Sequence, residues 1–248
     1  MHLLLRDGAL LPSPVPVTLD AEGAAILAAL YAPTPPPGGV HVRAMMNTTI
    51  DGAIAGPDGT SGPLRNPEDS FVFDVLRALC DVVLVGAETV RREDYTEVLG
   101  RADLLEPSRR PGGASRPALA IWSRSGEVPD TVQAAQPTFL LTPSAAREEA
   151  TRRSGLPAAQ VLAADTPAEG IAALAAQGVR AIQAEGGPSA LGRLVTADLL
   201  DELCFSVTHR TVGGDSPRVV MGEGHDQAWR LTSMLIGEHA TITRYQRA

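Results

Sequence analysis

From Val40 onward, short apolar runs alternate with segments whose apolar residues recur at helical spacing. Strands that alternate with helices build a mostly parallel sheet with helices on its faces. A Gly-containing turn joins the last two strand patterns, which indicates an antiparallel edge. We therefore predict an α/β fold with a central mixed, mostly parallel sheet, flanking helices and a C-terminal antiparallel strand pair. The predicted strands cover residues 40–46, 81–86, 117–123, 137–142, 160–164, 179–185, 203–210, 217–221, 229–236 and 239–246.

Two of the intervening helices carry clear start signals. In "NPEDSFVFDVLRALC", Asn66 is placed to cap the helix and Pro67 occupies its first position, where a missing N–H costs nothing. The two acids that follow favour the positive end of the helix dipole. In "TPAEGIAALAAQG", Thr166 and Glu169 form a capping box, and Gly178 predicts the end of the helix.

Residues 1–39 differ from the rest of the chain. The helical pattern "LDAEGAAILAALYA" is followed by "PTPPPGG", a stiff proline-rich connector that ends in flexible glycines. We predict an N-terminal arm over residues 1–39 that packs on a main domain over residues 40–248.

Composition excludes several classes of function. The formal net charge of −8 argues against nucleic acids and anionic membranes as partners. All 21 basic residues are Arg, so no lysine is available for a Schiff base or a P-loop. Cys80 and Cys204 lie in apolar runs without a metal-ligand spacing, so we predict no metal site. No run approaches the ~18 apolar residues of a membrane span, and we expect a cytoplasmic protein.

The motif "EGGPSALG" places one acid, Glu185, at the end of a strand and directly before Gly186 and Gly187. Glycines at such a turn let backbone approach a phosphate, and the amides of the following helix start point at the anion. Pro188 suits the first helical turn, and Ser189 adds a hydroxyl donor. A tight strand-to-helix turn without any ligand explains the same residues, so both interpretations stay open.

Three other strand ends carry glycine, hydroxyl or charged residues. They lie in "MMNTTIDGAIAGPDGTSG", "VLVGAETVRRED" and "ALAIWSRSG". Open α/β sheets bind ligands beyond the carboxyl ends of their strands. The sequence therefore predicts a ligand cleft at that edge, although the glycine spacing matches no standard nucleotide fingerprint.

Three longer segments carry a family resemblance: "TIDGAIAGPDGTSG", "NPEDSFVFDVLRALCDVVLVGAETVRREDY" and "EGGPSALGRLVTADLLDELCFSVTHRTVGG". Their order and spacing over about residues 40–245 resemble the reductase domain of the bacterial riboflavin-biosynthesis deaminase-reductase. The resemblance implies a dihydrofolate-reductase-like fold, NADPH as cofactor, a small-molecule substrate and a homodimer. It implies reduction of the ring-opened ribosyl group of a ribosylaminopyrimidine phosphate to ribityl.

The resemblance also implies site residues. Glu185 is the first candidate for orienting the substrate or relaying a proton, and Asp51 is the second. Arg124 would suit the 2′-phosphate that distinguishes NADPH from NADH. The positions that match the cofactor-binding residues of the family are Thr48, Gly86, Thr89, Val90, Glu93, Ser123, Arg124, Gly186, Gly187, Pro188, Ser189, Ala190 and Leu191.

The sequence departs from the family pattern in three places. Met45 stands where some members carry a lysine, and no zinc-deaminase motif occurs, so zinc deamination is not expected. The segment after Glu93 lacks an obvious match for an arginine near the substrate phosphate. The arginines that could replace it are Arg65, Arg91, Arg92 and Arg101.

Two alternatives to the pyrimidine reductase stay open. The cleft could reduce a pterin such as dihydrofolate, or the chain could bind NADPH without catalysis. A ribosylaminopyrimidine phosphate needs a cationic pocket on the substrate side, whereas a pterin needs a buried carboxylate against its ring.

Overall fold

The computed structural model describes residues 1–93 and 95–248. The strands are β1 (His2–Arg6), β2 (Ala9–Pro16), β3 (His41–Thr49), β4 (Val82–Gly86), β5 (Ala118–Trp122), β6 (Thr138–Thr142), β7 (Val161–Ala163), β8 (Ala181–Ala184), β9 (Glu202–Thr208), β10 (Trp229–Ile236) and β11 (Ala240–Arg247). The α-helices are α1 (Ala21–Leu30), α2 (Pro67–Leu79), α3 (Ala87–Arg92), α4 (Arg147–Ser154), α5 (Pro167–Ala176) and α6 (Pro188–Thr196).

All of these strands form one sheet in the order β2-β1-β10-β11-β9-β3-β8-β4-β5-β6-β7. The pairs from β9 to β7 are parallel, and the pairs from β2 to β9 are antiparallel. The predicted mixed, mostly parallel sheet with a C-terminal antiparallel pair is confirmed. Helices α1 and α2 pack on the antiparallel part, while the other helices cover the parallel part. Within the described residues, no helix combines the length and hydropathy that a membrane crossing requires.

The predicted helix starts are confirmed at atomic detail. The Asn66 side chain accepts from the Asp69 amide at 2.9 Å at the start of α2. The Thr166 hydroxyl accepts from the Glu169 amide while the Glu169 carboxylate reaches back to the amide of Thr166, so the capping box of α5 is complete. These short-range signals succeed because both partners of each hydrogen bond lie within one helical turn.

The predicted strand over residues 217–221 is wrong. This apolar stretch runs against the start of α6, where the Met221 amide donates to the Pro188 carbonyl at 3.1 Å. The contact is so close that a Cβ on Gly192 would lie 1.8 Å from the Met221 carbonyl oxygen. The residues are apolar because they pack on a helix, and a short apolar run cannot distinguish that setting from a strand.

Residues 1–39 contribute two strands and one helix. Strands β1 and β2 form a hairpin that the sequence did not predict, and β1 pairs with β10. The predicted arm and the main domain therefore share one sheet. The domain boundary at residue 39 stays a prediction.

A buried cluster of charges joins α1 to the sheet. The fully buried Glu202 carboxylate pairs with Arg43 at 2.5 Å and with Arg244 at 2.6 Å. The same two guanidinium groups donate to the Tyr31 and Leu30 carbonyls at the end of α1. Glu202 therefore neutralises the two cations that hold the end of α1, and removing it would leave buried charge unpaired.

We expect Glu202→Gln to lower the free energy of unfolding by about 3–5 kcal/mol, because two buried guanidinium groups would lose their counter-charge. Urea denaturation followed by circular dichroism measures this change. Glu149→Gln is the control, since it breaks an exposed pair with Arg152 on α4 and should change little. Equal effects of the two substitutions would contradict the role of the cluster.

Candidate active site

A cavity of about 1130 Å³ opens at the carboxyl ends of the central strands β3, β8 and β4. Parallel neighbours end at the same edge of the sheet, so the turns after these strands meet there. The volume exceeds that of a typical single-ligand site. The residues that line it include Asn47, Arg65, Asp69, Asp74, Arg77, Gly86, Thr89, Arg92, Glu93, Tyr95, Glu185, Gly186, Gly187, Pro188, Ser189 and Ala190.

The Gly-Gly turn forms one wall of this cavity. Gly186 has φ +106°, a conformation that side chains disfavour, and its carbonyl accepts from the Gly86 amide at 3.0 Å. Gly187 is the N-cap of α6, and a Cβ there would lie 2.9 Å from the Thr89 hydroxyl oxygen. The first amides of a helix have no partner inside the helix. Pro188 has no N–H and the Ala190 amide donates to the Gly187 carbonyl at 3.0 Å, so the Ser189 amide is the donor that this helix start offers to the cavity.

Glu185 lies one residue before this turn and is held by two neighbours. Arg77 of α2 donates to its two carboxylate oxygens at 2.7 and 2.6 Å, and the Tyr95 hydroxyl donates to Oε2 at 2.9 Å. The Arg77 guanidinium also stacks over the Phe73 ring, 4.4 Å from its centroid. The Glu185 side chain has no exposed surface. Glu185, Arg77 and Tyr95 therefore form a three-residue cluster in the cavity wall.

The Glu185 carboxylate raises the pKa values of both Arg77 and Tyr95. Burial by itself would lower the pKa of Arg77, but the Glu185 carboxylate and its hydrogen bonds raise that pKa above the ordinary value for arginine. Burial and the Glu185 charge both raise the pKa of Tyr95 well above its ordinary value. Arg77 stays cationic and Tyr95 stays a neutral donor.

Asp51 and Thr48 lie near the cavity but outside its lining. The Asp51 carboxylate accepts from the Thr49 hydroxyl and from the amides of Val212 and Gly213. The Thr49 hydrogen bond, followed by the backbone ones, lowers the pKa of Asp51. This exposed carboxylate fastens the turn after β3 to the loop that contains residues 212–213. Thr48 is buried within β3.

The remaining predicted cofactor positions divide between the cavity and the core. Gly86, Thr89 and Glu93 line the cavity, as do residues 186–190. The Glu93 carboxylate accepts from the Ser61 amide and hydroxyl, both at 2.8 Å, and so fixes the glycine-rich loop after β3. Val90 and Leu191 are fully buried core residues.

Ser123 and Arg124 follow β5, one strand beyond β4, and do not line this cavity. The buried Ser123 hydroxyl accepts from the Gly126 amide at 3.1 Å, whereas Arg124 is exposed. Arg193 of α6 was not predicted as a site residue; its guanidinium stacks 4.1 Å from the centre of the Trp122 ring. Burial and the nearby charge of Arg124 lower the pKa of Arg193. Two cations therefore lie close together at this end of β5.

A second missed residue is Asp69, which lines the cavity from the first turn of α2. Only 7% of its surface is exposed, and its Oδ2 accepts from Asn47 Nδ2 at 3.0 Å. Burial raises the pKa of Asp69 to about 6, against the lowering effect of Ser206, Asn47 and Arg65. In the sequence, an acid at this position is explained by the helix dipole alone, so the signal pointed to structure and not to a site.

The four arginines that could contact a substrate phosphate differ in position. Arg91 and Arg92 pair with Glu88, and Arg101 pairs with Asp103. Arg65 lines the cavity, is exposed and forms no ion pair with any residue in the ranges 1–93 and 95–248. Arg65 is therefore the candidate whose charge is available to a ligand.

The fold and the cleft together define an α/β protein with a large cavity beyond the carboxyl ends of parallel strands and a Gly-Gly turn before a helix on one wall. Comparison with known proteins makes this class specific. The chain belongs to the RibD C-terminal domain family, whose model matches residues 40–241. This result confirms the family resemblance carried by the three sequence segments.

Individual relatives agree with this assignment. The chain is 27% identical over 216 residues to the 2,5-diamino-6-ribosylamino-4(3H)-pyrimidinone 5′-phosphate reductase of Archaeoglobus fulgidus, covering 84% of this chain and 99% of the relative. Its fold is similar to that of a pyrimidine reductase-like protein from Corynebacterium diphtheriae, with a TM-score of 0.70, 20% identity and coverage of 91% and 96% of the two chains.

A third likeness concerns a longer protein. The diaminohydroxyphosphoribosylaminopyrimidine deaminase/5-amino-6-(5-phosphoribosylamino)uracil reductase of Thermotoga maritima has a similar fold, with a TM-score of 0.66 and 16% identity. The match covers 84% of this chain but only 57% of the Thermotoga maritima chain. At this identity the likeness concerns the fold.

We expect Asp69→Asn to stabilise the protein at pH 8 by on the order of 2–3 kcal/mol, because the buried carboxyl, with a pKa of about 6 instead of 3.8, ionises at a cost. Since the pKa is raised by folding, stability falls as pH rises from about 4 to about 6 and stays lower above that. Urea denaturation at pH 5 and pH 8 should show the advantage of the variant widening with pH.

Asp103→Asn is the control of opposite sign. The hydrogen bond from Arg101 lowers the pKa of Asp103, so ionisation there stabilises the fold. At pH 8 the Asp103→Asn variant should therefore be less stable than the wild type. A pH-independent difference between wild type and Asp69→Asn would show that Asp69 titrates normally.

Proposed function

We propose that this chain is an NADPH-dependent reductase that converts the ribosyl group of a ribosylaminopyrimidine phosphate into a ribityl group. Membership of the RibD C-terminal domain family and the likeness to the archaeal reductase support an oxidoreductase of the riboflavin-pathway type, as the motifs predicted. The choice of NADPH as the cofactor depends on the residues around the Gly-Gly turn and at the end of β5.

The residues present fit a dinucleotide with a pyrophosphate. The space beside Gly187 is one that a side chain would fill, since its Cβ would contact the Thr89 hydroxyl. Gly86, Gly186, Gly187 and the start of α6 would hold the pyrophosphate, with Thr89 and Ser189 as hydroxyl donors. Arg124 would bind the 2′-phosphate that only NADPH carries.

When bound, the reduced nicotinamide supplies the hydride, and the protein supplies orientation and a polar surface. Glu185 holds Arg77 and Tyr95 in fixed positions on the cavity wall, so the substrate meets the Arg77 cation. Of the two predicted acids, we retain Glu185, as the group that positions Arg77 toward the substrate. Because Arg77 and Tyr95 occupy both of its oxygens, we assign Glu185 the role of orienting the substrate through Arg77, and the proton comes from a protonated group or from water.

The observation that carries the choice of substrate is Arg65. Its guanidinium lines the cavity and, in the described part of the chain, forms no ion pair, although its charge acts on the nearby Asp69. A cation with no internal partner is suited to a ligand anion, and a ribosylaminopyrimidine phosphate carries one. Ring-opened ribose 5-phosphate would place this anion away from the heterocycle.

A pterin reductase is the second candidate, and Asp69 is the observation that favours it. A pterin also needs a carboxylate against its ring, and Asp69 provides a buried one on the cavity wall. The two substrates differ in the phosphate, so Arg65 separates them. A non-catalytic NADPH-binding protein would bind the cofactor without oxidising it in the presence of either substrate.

We also propose the homodimer and the cytoplasmic location that the resemblance implies. The edge strand β2 is exposed along its length, with Leu10 at 78% exposure, which is compatible with a second chain beside it.

The first test follows NADPH oxidation at 340 nm with a ribosylaminopyrimidine phosphate and with dihydrofolate. We expect turnover of the pyrimidine. Arg65→Ala should raise its KM at least 10-fold, because a charge-assisted contact to phosphate is lost, at roughly 1.5–3 kcal/mol. Arg91→Ala is the matched control, since Arg91 pairs with Glu88 and does not line the cavity. Turnover of dihydrofolate alone, with no effect of Arg65→Ala, would favour the pterin reductase.

The cofactor site has its own test. Gly187→Val should weaken NADPH binding at least 100-fold in a fluorescence titration, because the new side chain fills the space beside Thr89 and covers the helix start. Gly170→Ala is the control, because Gly170 lies in α5, outside the cavity, and a Cβ there would make only ordinary van der Waals contacts. Unchanged affinity in a folded Gly187→Val protein would overturn the assignment of the pyrophosphate to this turn.

A further inference from the structure

The side chains of β9 are distributed in the opposite way to those of a strand with one face in water. The side of β9 that is buried carries the polar residues Glu202, Ser206 and Thr208, none of them more than 6% exposed. Its other side carries Phe205 and Val207, which are partly exposed. Antiparallel strands with one solvated face normally turn apolar residues inward and polar residues outward. The inverted pattern indicates that the outer side of β9 is not a water-facing surface.

The register of the sheet continues this side of β9 across four further strands. Phe205 lies opposite Thr243 of β11, and Thr243 lies opposite Met234 of β10. Met234 lies opposite Leu5 of β1, which in turn lies opposite Leu10 of β2. Paired residues in a sheet project to the same face. We call this surface the open face; it consists of the row just described and of the neighbouring outward residues Val207, Leu231, Ile236 and Tyr245.

No helix in the ranges 1–93 and 95–248 packs on the open face. Helices α1 and α2 pack on the opposite side of these strands, whereas α5 and α6 lie on the same side of the sheet but over its parallel strands. The apolar residues of the open face belong to none of the three hydrophobic clusters of the core. Leu10 is 78% exposed and Ile236 is 40% exposed. A contiguous apolar face of this kind marks an interaction site.

The open face also lacks negative charge. The chain has a formal net charge of −8, yet none of the residues that form the open face is Asp or Glu. Two copies of the chain repel each other through acids elsewhere on their surfaces, but they can bring this face together without burying like charges. Aromatic residues and methionine are typical of the centre of an interface, and Phe205, Tyr245 and Met234 supply them here.

The size of the open face is sufficient for a specific interface. Strands about 4.8 Å apart, with about 3.3 Å per residue, give five strands over six residues an extent of roughly 24 Å by 20 Å. This is on the order of 500 Å² in projection for each copy. Two copies therefore bury on the order of 1,000 Å² or more, because a corrugated face has more accessible surface than its projection.

The free edge of β2 offers a second way to add a chain, as an extra strand. However, β2 carries Pro12, Pro14 and Pro16, and proline has no N–H to donate to a new strand. Prolines on an edge strand hinder the addition of further strands. The exposed apolar surface of Leu10 is therefore available to a partner through the face of the sheet and not through its edge.

We propose that the open face binds the open face of a second copy of this chain, so that two antiparallel sheets pack face to face about a two-fold axis. A two-fold axis lets one apolar face serve as both partners, and twisted sheets pack on each other in this way. The inference rests on the homodimer named with the proposed function and adds the surface that forms it. Because β9 pairs with β3, whose Met46 lines the cavity, the interface lies beside the cavity.

Sedimentation velocity over a range of protein concentrations provides the test. The wild type should sediment with twice the 25.9 kDa mass of one chain. Phe205→Glu should raise the dissociation constant of the dimer at least about 100-fold, because each copy would bury a carboxylate without a partner. Ile236→Glu should raise it at least about 10-fold for the same reason. Since Ile236 is already exposed in the single chain, this second substitution leaves the fold of the monomer undisturbed.

Leu19→Glu is the matched control. Leu19 is 44% exposed, against 40% for Ile236, and it lies directly before the N-cap of α1, the helix on the opposite side of the sheet. The substitution adds the same charge and should leave the dissociation constant unchanged. Equal weakening by Leu19→Glu and Ile236→Glu would mean that added charge, and not its position, separates the copies, which would overturn the proposal.

The remaining outcomes are equally decisive. A monomeric wild type would overturn the proposal, and so would a dimer that both substitutions on the open face leave intact, a result that would point to another surface such as the edge of β2. Circular dichroism shows whether each variant folds, and if Phe205→Glu does not fold, Ile236→Glu decides. The mass measurement uses neither cofactor nor substrate, so its failure is distinct from a failure of the proposed reductase activity.

Discussion

The ion pair between Arg77 and Glu185 is the interaction on which the cleft depends. It joins the last turn of α2 to the residue that follows β8, and therefore fixes the helix that carries Asp69 relative to the Gly-Gly turn. Glu185 has no exposed side-chain surface, so the pair is sheltered from the solvent that weakens ion pairs at protein surfaces. Its bidentate geometry and the additional Tyr95 hydroxyl offset the cost of burying the charges.

The same principle operates at a second place on this face of the sheet, beside α1. Glu202 neutralises Arg43 and Arg244, and these arginines hold the carbonyls at the end of α1. In a chain without lysine, every internal cation is a guanidinium, which can bind a carboxylate and a carbonyl at the same time. Glu185 and Glu202 are thus two buried acids that hold arginines in place. Glu185 does so beside the cleft, and Glu202 does so at the end of α1.

The sequence predicted the parts of the site that depend on backbone. Glycines after buried strands and a proline at a helix start indicate a turn and an open helix end wherever they occur, so Gly86, Gly186 and Gly187 could be located before the fold was known. Glu185 was located by its position beside that turn. Asp51 was selected for its place in a turn, yet its carboxylate bonds to the backbone of residues 212–213, far away in the sequence.

What the sequence by itself determined is the α/β class, the order of most strands and helices, and the edge of the sheet where a ligand would bind. These follow from hydrophobic periodicity and helix caps, whose partners lie within a few residues. Only the tertiary structure decided that Asp69 lines the cavity while Glu68 beside it binds the backbone of Glu238. Only the tertiary structure also separated Arg65 from the other candidate arginines. Arg91 pairs with Glu88 and Arg101 pairs with Asp103, whereas Arg65 forms no ion pair in the described part of the chain. Adjacent positions on a helix point in different directions, and which of them meets a cavity depends on elements that pack from elsewhere in the chain.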